Sequence, residues 1–128
     1  MAQSPLSTEA IDKRLDALAK QRFRAGFHLH GRERALVELR GLGAIRGHAE
    51  DLIATRVARA NPRRDGKQTP YRNHPVFVAQ HATATCCRGC MERNHQIPRG
   101  RELKAGERRY ATDLIMRWIE REVPDAPQ

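Results

Sequence analysis

The sequence predicts a mainly α protein: a single small domain of four or five helices with a Cys/His-rich metal-knuckle segment, and with room for one short hairpin. Three observations predict it. Apolar residues recur at helical spacing in separate stretches, most clearly over Ile11, Leu15 and Leu18 and over Tyr110, Leu114 and Trp118. The chain has 128 residues, 39% of them hydrophobic, which supports one modest core but not two. All three cysteines, Cys86, Cys87 and Cys90, fall within five positions.

The elements follow in chain order. Residues 1–7 read as a flexible N-terminal tail, 8–122 as the globular helical domain and 123–128 as a C-terminal tail. Ser7 or Thr8 caps a first helix to about Lys20, with Glu9 in the first turn, where a carboxylate suits the helix dipole. Phe23 to His30 reads as a short extended piece with His28 and His30 on one face. Glu33 to Arg40 is a short helix stopped by Gly41. Ala44 to Ala60 is a longer helix with a stripe of Ile45, Ala49, Leu52, Ile53 and Val57, ended by Asn61-Pro62. Residues 61–75 form a loop, since Pro62, Pro70 and Pro75 lack backbone donors and Asp65-Gly66 is a turn signal. The apolar run Pro75-Val76-Phe77-Val78-Ala79 suits a buried strand and a turn of core helix equally. Thr85 caps a short helix from Cys86 to Asn94, Pro98 and Gly100 turn the chain, and the last helix runs from about Ala105 to Glu122 before Pro124.

Charge narrows the function classes. The net charge is +9, and 20 of the 24 basic residues are arginine. Residues 1–60 carry +4, residues 61–109 carry +7 and residues 110–128 carry −2, so the excess sits in the middle and late chain. A localised basic field attracts polyanions, nucleic acid first, and arginine offers phosphate a bidentate fork. Two basic stretches are the candidate phosphate contacts: Arg63, Arg64, Lys67 and Arg72, then Arg99, Arg101, Arg108 and Arg109. A solvated arginine-rich surface has the same composition, so placement decides between the two. Mean hydropathy is −0.74 and no apolar run approaches the roughly 20 residues of a membrane span, so no membrane role is expected. The first dozen residues lack a basic start followed by an apolar stretch, which points to the cytoplasm. Gly66-Lys67-Gln68-Thr69 fails the phosphate-loop pattern, because Gln68 stands where Ser or Thr must follow the lysine.

The chemistry concentrates in His74 to His95, where all three cysteines and three of the six histidines fall within 22 residues. Mixed Cys and His at compact spacing suit a tetrahedral zinc ion. The expected ligands are His81, Cys87, Cys90 and His95, with Cys86 competing for one thiolate place, and Gly89 allows the tight turn of a knuckle. On a helix beginning at Cys86, Cys86 and Cys90 share a face. With one C-x-x-C pair, this is neither a standard finger nor a ribbon. A structural zinc is the leading reading. A zinc-dependent hydrolase acting on nucleic acid, with Glu92 or His74 as base, and a thiol redox protein are the alternatives.

The run Asp65-Gly66-Lys67-Gln68-Thr69-Pro70, then His74-Pro75-Val76-Phe77, then Gln80 through Cys90, continues in His95, Ile97-Pro98-Arg99-Gly100 and Ile115-Met116-Arg117-Trp118-Ile119. Together these resemble a small bacterial family, domain of unknown function 4186, over about Arg22 to Glu122. The N-terminal helix falls outside the resemblance. Asn94 stands where the family pattern often places an aromatic residue. The resemblance implies no particular activity.

Overall fold

The computed structural model describes residues 6–128. Its regular structure is seven helices: α1 (Thr8–Leu18), α2 (Arg22–Ala25), α3 (Gly31–Arg40), α4 (Leu42–Arg56), α5 (Pro75–Ala82), α6 (Arg88–His95) and α7 (Ala105–Glu122). No strand occurs among the described residues, and no helix there is long and apolar enough to cross a membrane.

Helix α7 is the pillar, with α4, α5 and α1 packed around it. Its Ile115 and Ile119 meet Ile45 and Ile53 of α4 and Val76 and Val78 of α5 in one core from which water is excluded. On another side, Leu114 packs with Ile11 and Leu15 of α1. Cutting any of the core isoleucines to alanine costs about 2–5 kcal/mol, so this cluster fixes the frame that the loops hang from.

Local chemistry sets the ends. The Ser7 hydroxyl accepts from the Ala10 amide at 3.1 Å and starts α1, as expected. Gly41 turns the chain between α3 and α4 at φ 84°, a conformation that favours glycine. It brings no capping side chain to α4, and the C-terminal segment supplies the missing acceptors. Leu42 N donates to Pro127 O at 2.8 Å and Gly43 N to Gln128 O at 2.9 Å. The expected tail 123–128 is therefore docked on α4. Residues 1–5 of the other expected tail lie outside the described residues.

Three expectations are corrected, and the alternative left open for residues 75–79 falls to the helix. The extended piece is partly helical: α2 is a single turn, held because the buried Arg24 guanidinium donates to His81 O at 2.5 Å and to Gln21 Oε1 at 2.9 Å. The apolar run at 75–79 is helix α5. Pro75 sits in its first turn, and His74 caps it through Nδ1, which accepts from Val76 N at 3.1 Å. The long helix begins at Leu42 and stops at Arg56, short of Ala60. Beyond it, Ala58 O accepts from Leu103 N at 2.8 Å and Arg59 O from the Arg88 guanidinium at 2.9 Å, partners that a continuing helix would forgo. Finally, the helix after the cysteines starts at Arg88, capped by Cys87 rather than Thr85, so Cys86 and Cys90 do not lie one turn apart on a helix.

Candidate metal centre

The turn between α5 and α6 assembles the cysteines. Thr83 closes α5 by donating its hydroxyl to Ala79 O at 2.8 Å. Ala84 takes φ 60°, the left-handed conformation, and Thr85 N returns to Gln80 O at 2.9 Å. The chain then leaves the turn extended at Cys87, with φ −159° and ψ 165°. There the Cys87 Sγ accepts from Cys90 N at 3.3 Å, so one thiol is both a helix cap and a neighbour of the next thiol. Thr69 fixes the other side by donating its hydroxyl to Cys86 O at 2.7 Å. The Sγ atoms of Cys86, Cys87 and Cys90 all lie within 4.8 Å of one another. Thiolates around a single tetrahedral ion, at about 2.3 Å from it, stand roughly 3.8 Å apart, so the three cysteines can hold one metal ion. An iron–sulfur cluster spreads its thiolates over several irons and normally takes four of them.

The group is already polarised. Thiol contacts from Cys86 and Cys87, then the Arg24 guanidinium, hold Cys90 well below the usual thiol range against the pull of burial. Cys86 is pushed up by its contacts with Cys87 and Cys90 and by burial. At Cys87 the contact from Cys86 works downward, but Cys90 and burial outweigh it and the thiol is raised. Cys90 is the thiol of the three drawn downward and the one that is not fully buried, and Arg93 Nη2 approaches it at 3.6 Å.

The predicted histidines stand close by, in other work. His81 Nε2 donates to Thr69 O at 3.1 Å, and its ring stacks on Tyr71 with centroids 4.2 Å apart. His95 Nε2 donates to Thr83 O at 2.8 Å, and its Nδ1 accepts from the Tyr110 hydroxyl at 2.7 Å. Burial depresses the pKa of both rings and keeps them neutral. Among the described residues no histidine or carboxylate joins the three sulphurs. Glu92 lies exposed on α6, accepting from Arg99 N at 3.0 Å. His74 faces His48, with ring nitrogens 3.2 Å apart. His28 pairs with Glu122 at 3.1 Å, and its ring meets that of His30, which precedes α3, edge-on at 6.4 Å.

Sequence reasoning missed Arg88, a buried guanidinium at 1% exposure on the first residue of α6. Its Nη1 donates to Arg59 O and Arg101 O, both at 2.9 Å, and its Nη2 to Pro98 O at 2.7 Å. Its backbone N donates to Asp65 Oδ1 at 2.9 Å. One residue beside Cys87 thus ties the exit of α4, the 61–74 loop and the 96–104 loop to the start of α6. Nothing in the motif Cys87-Arg88-Gly89-Cys90 distinguishes this arginine from a surface one. Arg24 was missed for the same reason. Gly89 lies inside α6 without a positive φ; its missing Cβ leaves room for the guanidinium groups of Arg99 and Arg93, the latter 3.2 Å from where a Cβ would sit.

The eight basic candidates divide. Arg72 makes a fork on the buried Glu33, at 2.8 and 3.0 Å, and Arg101 a fork on Glu107, at 2.7 Å for both bonds. Arg99 lies 3.7 Å from Glu92, and Arg108 reaches Leu103 O at 3.5 Å. Arg63, Arg64, Lys67 and Arg109 form no ion pair among the described residues, and Arg88 draws the loop of the first three to the same helix end as Arg99. Asn94 donates from Nδ2 to Cys90 O and accepts at Oδ1 from Gln21, both at 2.9 Å, so it links α6 to the start of α2 by hydrogen bonds where an aromatic would pack.

No solved structure matches this chain. The family described as Domain of unknown function (DUF4186) matches residues 12–120, which reaches further back than the resemblance and takes in most of α1. With the cysteine group, the Arg88 tie and the α7 pillar all inside that span, the chain belongs to this family of unknown function, DUF4186.

Proposed function

We propose that this protein contacts nucleic acid through a basic surface that a zinc-bound α6 start holds in place. The observation that carries the reading is the position of Arg88: it follows Cys87 directly, its guanidinium binds carbonyls of the 96–104 loop and of Arg59 at the exit of α4, and its backbone N binds Asp65 in the 61–74 loop. An ion on Cys86, Cys87 and Cys90 fixes the helix start, the helix start fixes Arg88, and Arg88 fixes the loops. Zinc suits three thiolates, has no redox chemistry and adds its binding energy to folding. Both neighbouring thiols, Cys86 and Cys87, serve as ligands in this reading. His81 and His95 keep their backbone carbonyls, and the fourth place goes to a water or another outside ligand. A reducing compartment such as the cytoplasm keeps the three thiols free for the metal.

The test is a fluorescence-anisotropy titration of labelled DNA and RNA oligonucleotides across a range of salt. Contacts from Arg63, Arg64, Lys67 and Arg109 give duplex DNA a log–log salt slope of about −3 to −4, and Arg63→Ala with Arg64→Ala makes it shallower by about 2. Replacing Cys90 by serine weakens binding although it leaves every basic residue in the chain. Absence of binding to any oligonucleotide at low salt overturns the proposal.

A further inference from the structure

We infer that Phe23 and Tyr71 form a platform on which unpaired bases stack, so that the nucleic acid taken is single-stranded; this rests on the nucleic-acid reading above. The chain has only six aromatic residues, and these two are the ones left exposed, Phe23 at 60% and Tyr71 at 56%. They belong to one ring cluster. Phe23 meets Phe27 edge-on at 5.1 Å, and Phe27 lies parallel to Tyr71, within 9° at 6.4 Å. Tyr71 in turn stacks on the buried His81 at 4.2 Å and 12°. Tyr71, backed by parallel neighbours, is already held in place, so a base adding to its face orders little further, while Phe23, edge-on to Phe27, offers a second face nearly perpendicular to the first.

The surroundings of the cluster are cationic. The Arg24 guanidinium lies 6.0 Å from the Phe23 centroid, and Arg22 is exposed beside it. Tyr71 belongs to the loop that carries Arg63, Arg64 and Lys67. Thr69, two residues before Tyr71, bonds both His81 and Cys86, which joins the platform to the metal group. Exposed rings beside arginines on a chain of net charge +9 complement a polyanion with accessible π-faces. A duplex buries its base faces in the stack and offers such rings nothing. Base–aromatic stacking tolerates any sequence, so the platform takes single strands without strong base preference.

The experiment compares an oligothymidylate of about 20 nucleotides with a blunt duplex of equal length, using the full chain. The single strand is expected to bind at least about fivefold tighter. Phe23→Ala and Tyr71→Ala each weaken single-strand binding by about fivefold or more and change duplex binding by less than about twofold. Circular dichroism checks that both variants fold. Tyr71→Trp retains affinity, and its added emission is quenched as the strand binds. Equal affinity for duplex and strand, silent alanine variants or an unquenched Trp overturns the platform while the proposed function stands. Loss of self-association in the alanine variants with oligonucleotide affinity intact also overturns it, by making the patch a contact between copies. If neither strand nor duplex binds at low salt, both readings fall.

Discussion

Replacing Arg88 by lysine tests the tie between the loops without altering net charge. The guanidinium fork reaches three carbonyls in two separate segments, Arg59 beyond α4 and Arg101 and Pro98 in the 96–104 loop, at 2.9, 2.9 and 2.7 Å, from a site 1% exposed. A lysine ammonium is a single point with a shorter reach and meets at most one or two of them. Each buried carbonyl left alone costs about 1–3 kcal/mol, so Arg88→Lys lowers stability by about 2–4 kcal/mol. That is a large share of the roughly 5–15 kcal/mol that holds a domain of this size. Urea unfolding at neutral pH, followed by circular dichroism, measures the loss as a lower midpoint. Oligonucleotide affinity falls with it, because the 96–104 loop that carries Arg99 and the exit of α4 that leads into the 61–74 loop lose their side-chain anchor while every surface charge is kept. A change under about 1 kcal/mol, with affinity intact, refutes the claim that Arg88 organises these loops.

Other perturbations read separate parts of the structure. The Arg101 fork holds the Glu107 carboxyl down to about 2 from an ordinary 4.5. Its stabilisation is therefore full above pH 4.5 and is lost as pH falls through about 2, and Glu107→Gln lowers the melting temperature at pH 7 but not at pH 2. Burial, then the neighbouring His48, lowers His74 from 6.5 to about 4. The unfolded chain takes up that proton first, so stability falls as pH drops from 6.5 to about 4. His74→Asn, which can still cap α5, flattens the pH–stability curve in that window. Gly89→Ala changes stability by less than about 1 kcal/mol, since the gain in helix propensity offsets pushing aside two flexible guanidinium ends. It displaces Arg99 and Arg93, and the salt dependence of oligonucleotide binding reports that displacement.

What the sequence made legible was periodic or compact. Helix α7 matches its expected span because its apolar stripe runs unbroken from Tyr110 to Ile119 and Pro124 follows. Gly41 was readable because a positive φ favours glycine. The cysteine group was visible because its members are adjacent in the chain. The rest depends on partners distant in sequence. The overrun of α4 toward Ala60 ends where Leu103 and Arg88 capture the carbonyls of Ala58 and Arg59, and no local pattern records that. Thr85 has the residue type of a cap, but its hydroxyl lies buried 3.0 Å from that of Thr83, and Cys87 caps instead. His81 and His95 have ligand chemistry in the right segment, but Nε2 of His81 donates to Thr69 O, and both ring nitrogens of His95 are engaged by Thr83 O and Tyr110. The sign of the charge was legible as well, whereas the neutralisation of Arg72 by Glu33 needed the fold.

The central claim is that three cysteines hold an ion which fixes the start of α6, and metal content tests it most directly. Elemental mass spectrometry on protein purified without chelator should find one zinc per chain, lost in Cys86→Ser and in Cys90→Ser. X-ray absorption should place three sulphur atoms on the zinc at about 2.3 Å. Protein that is reduced and folded, carries no metal and takes up none when zinc is added contradicts the account.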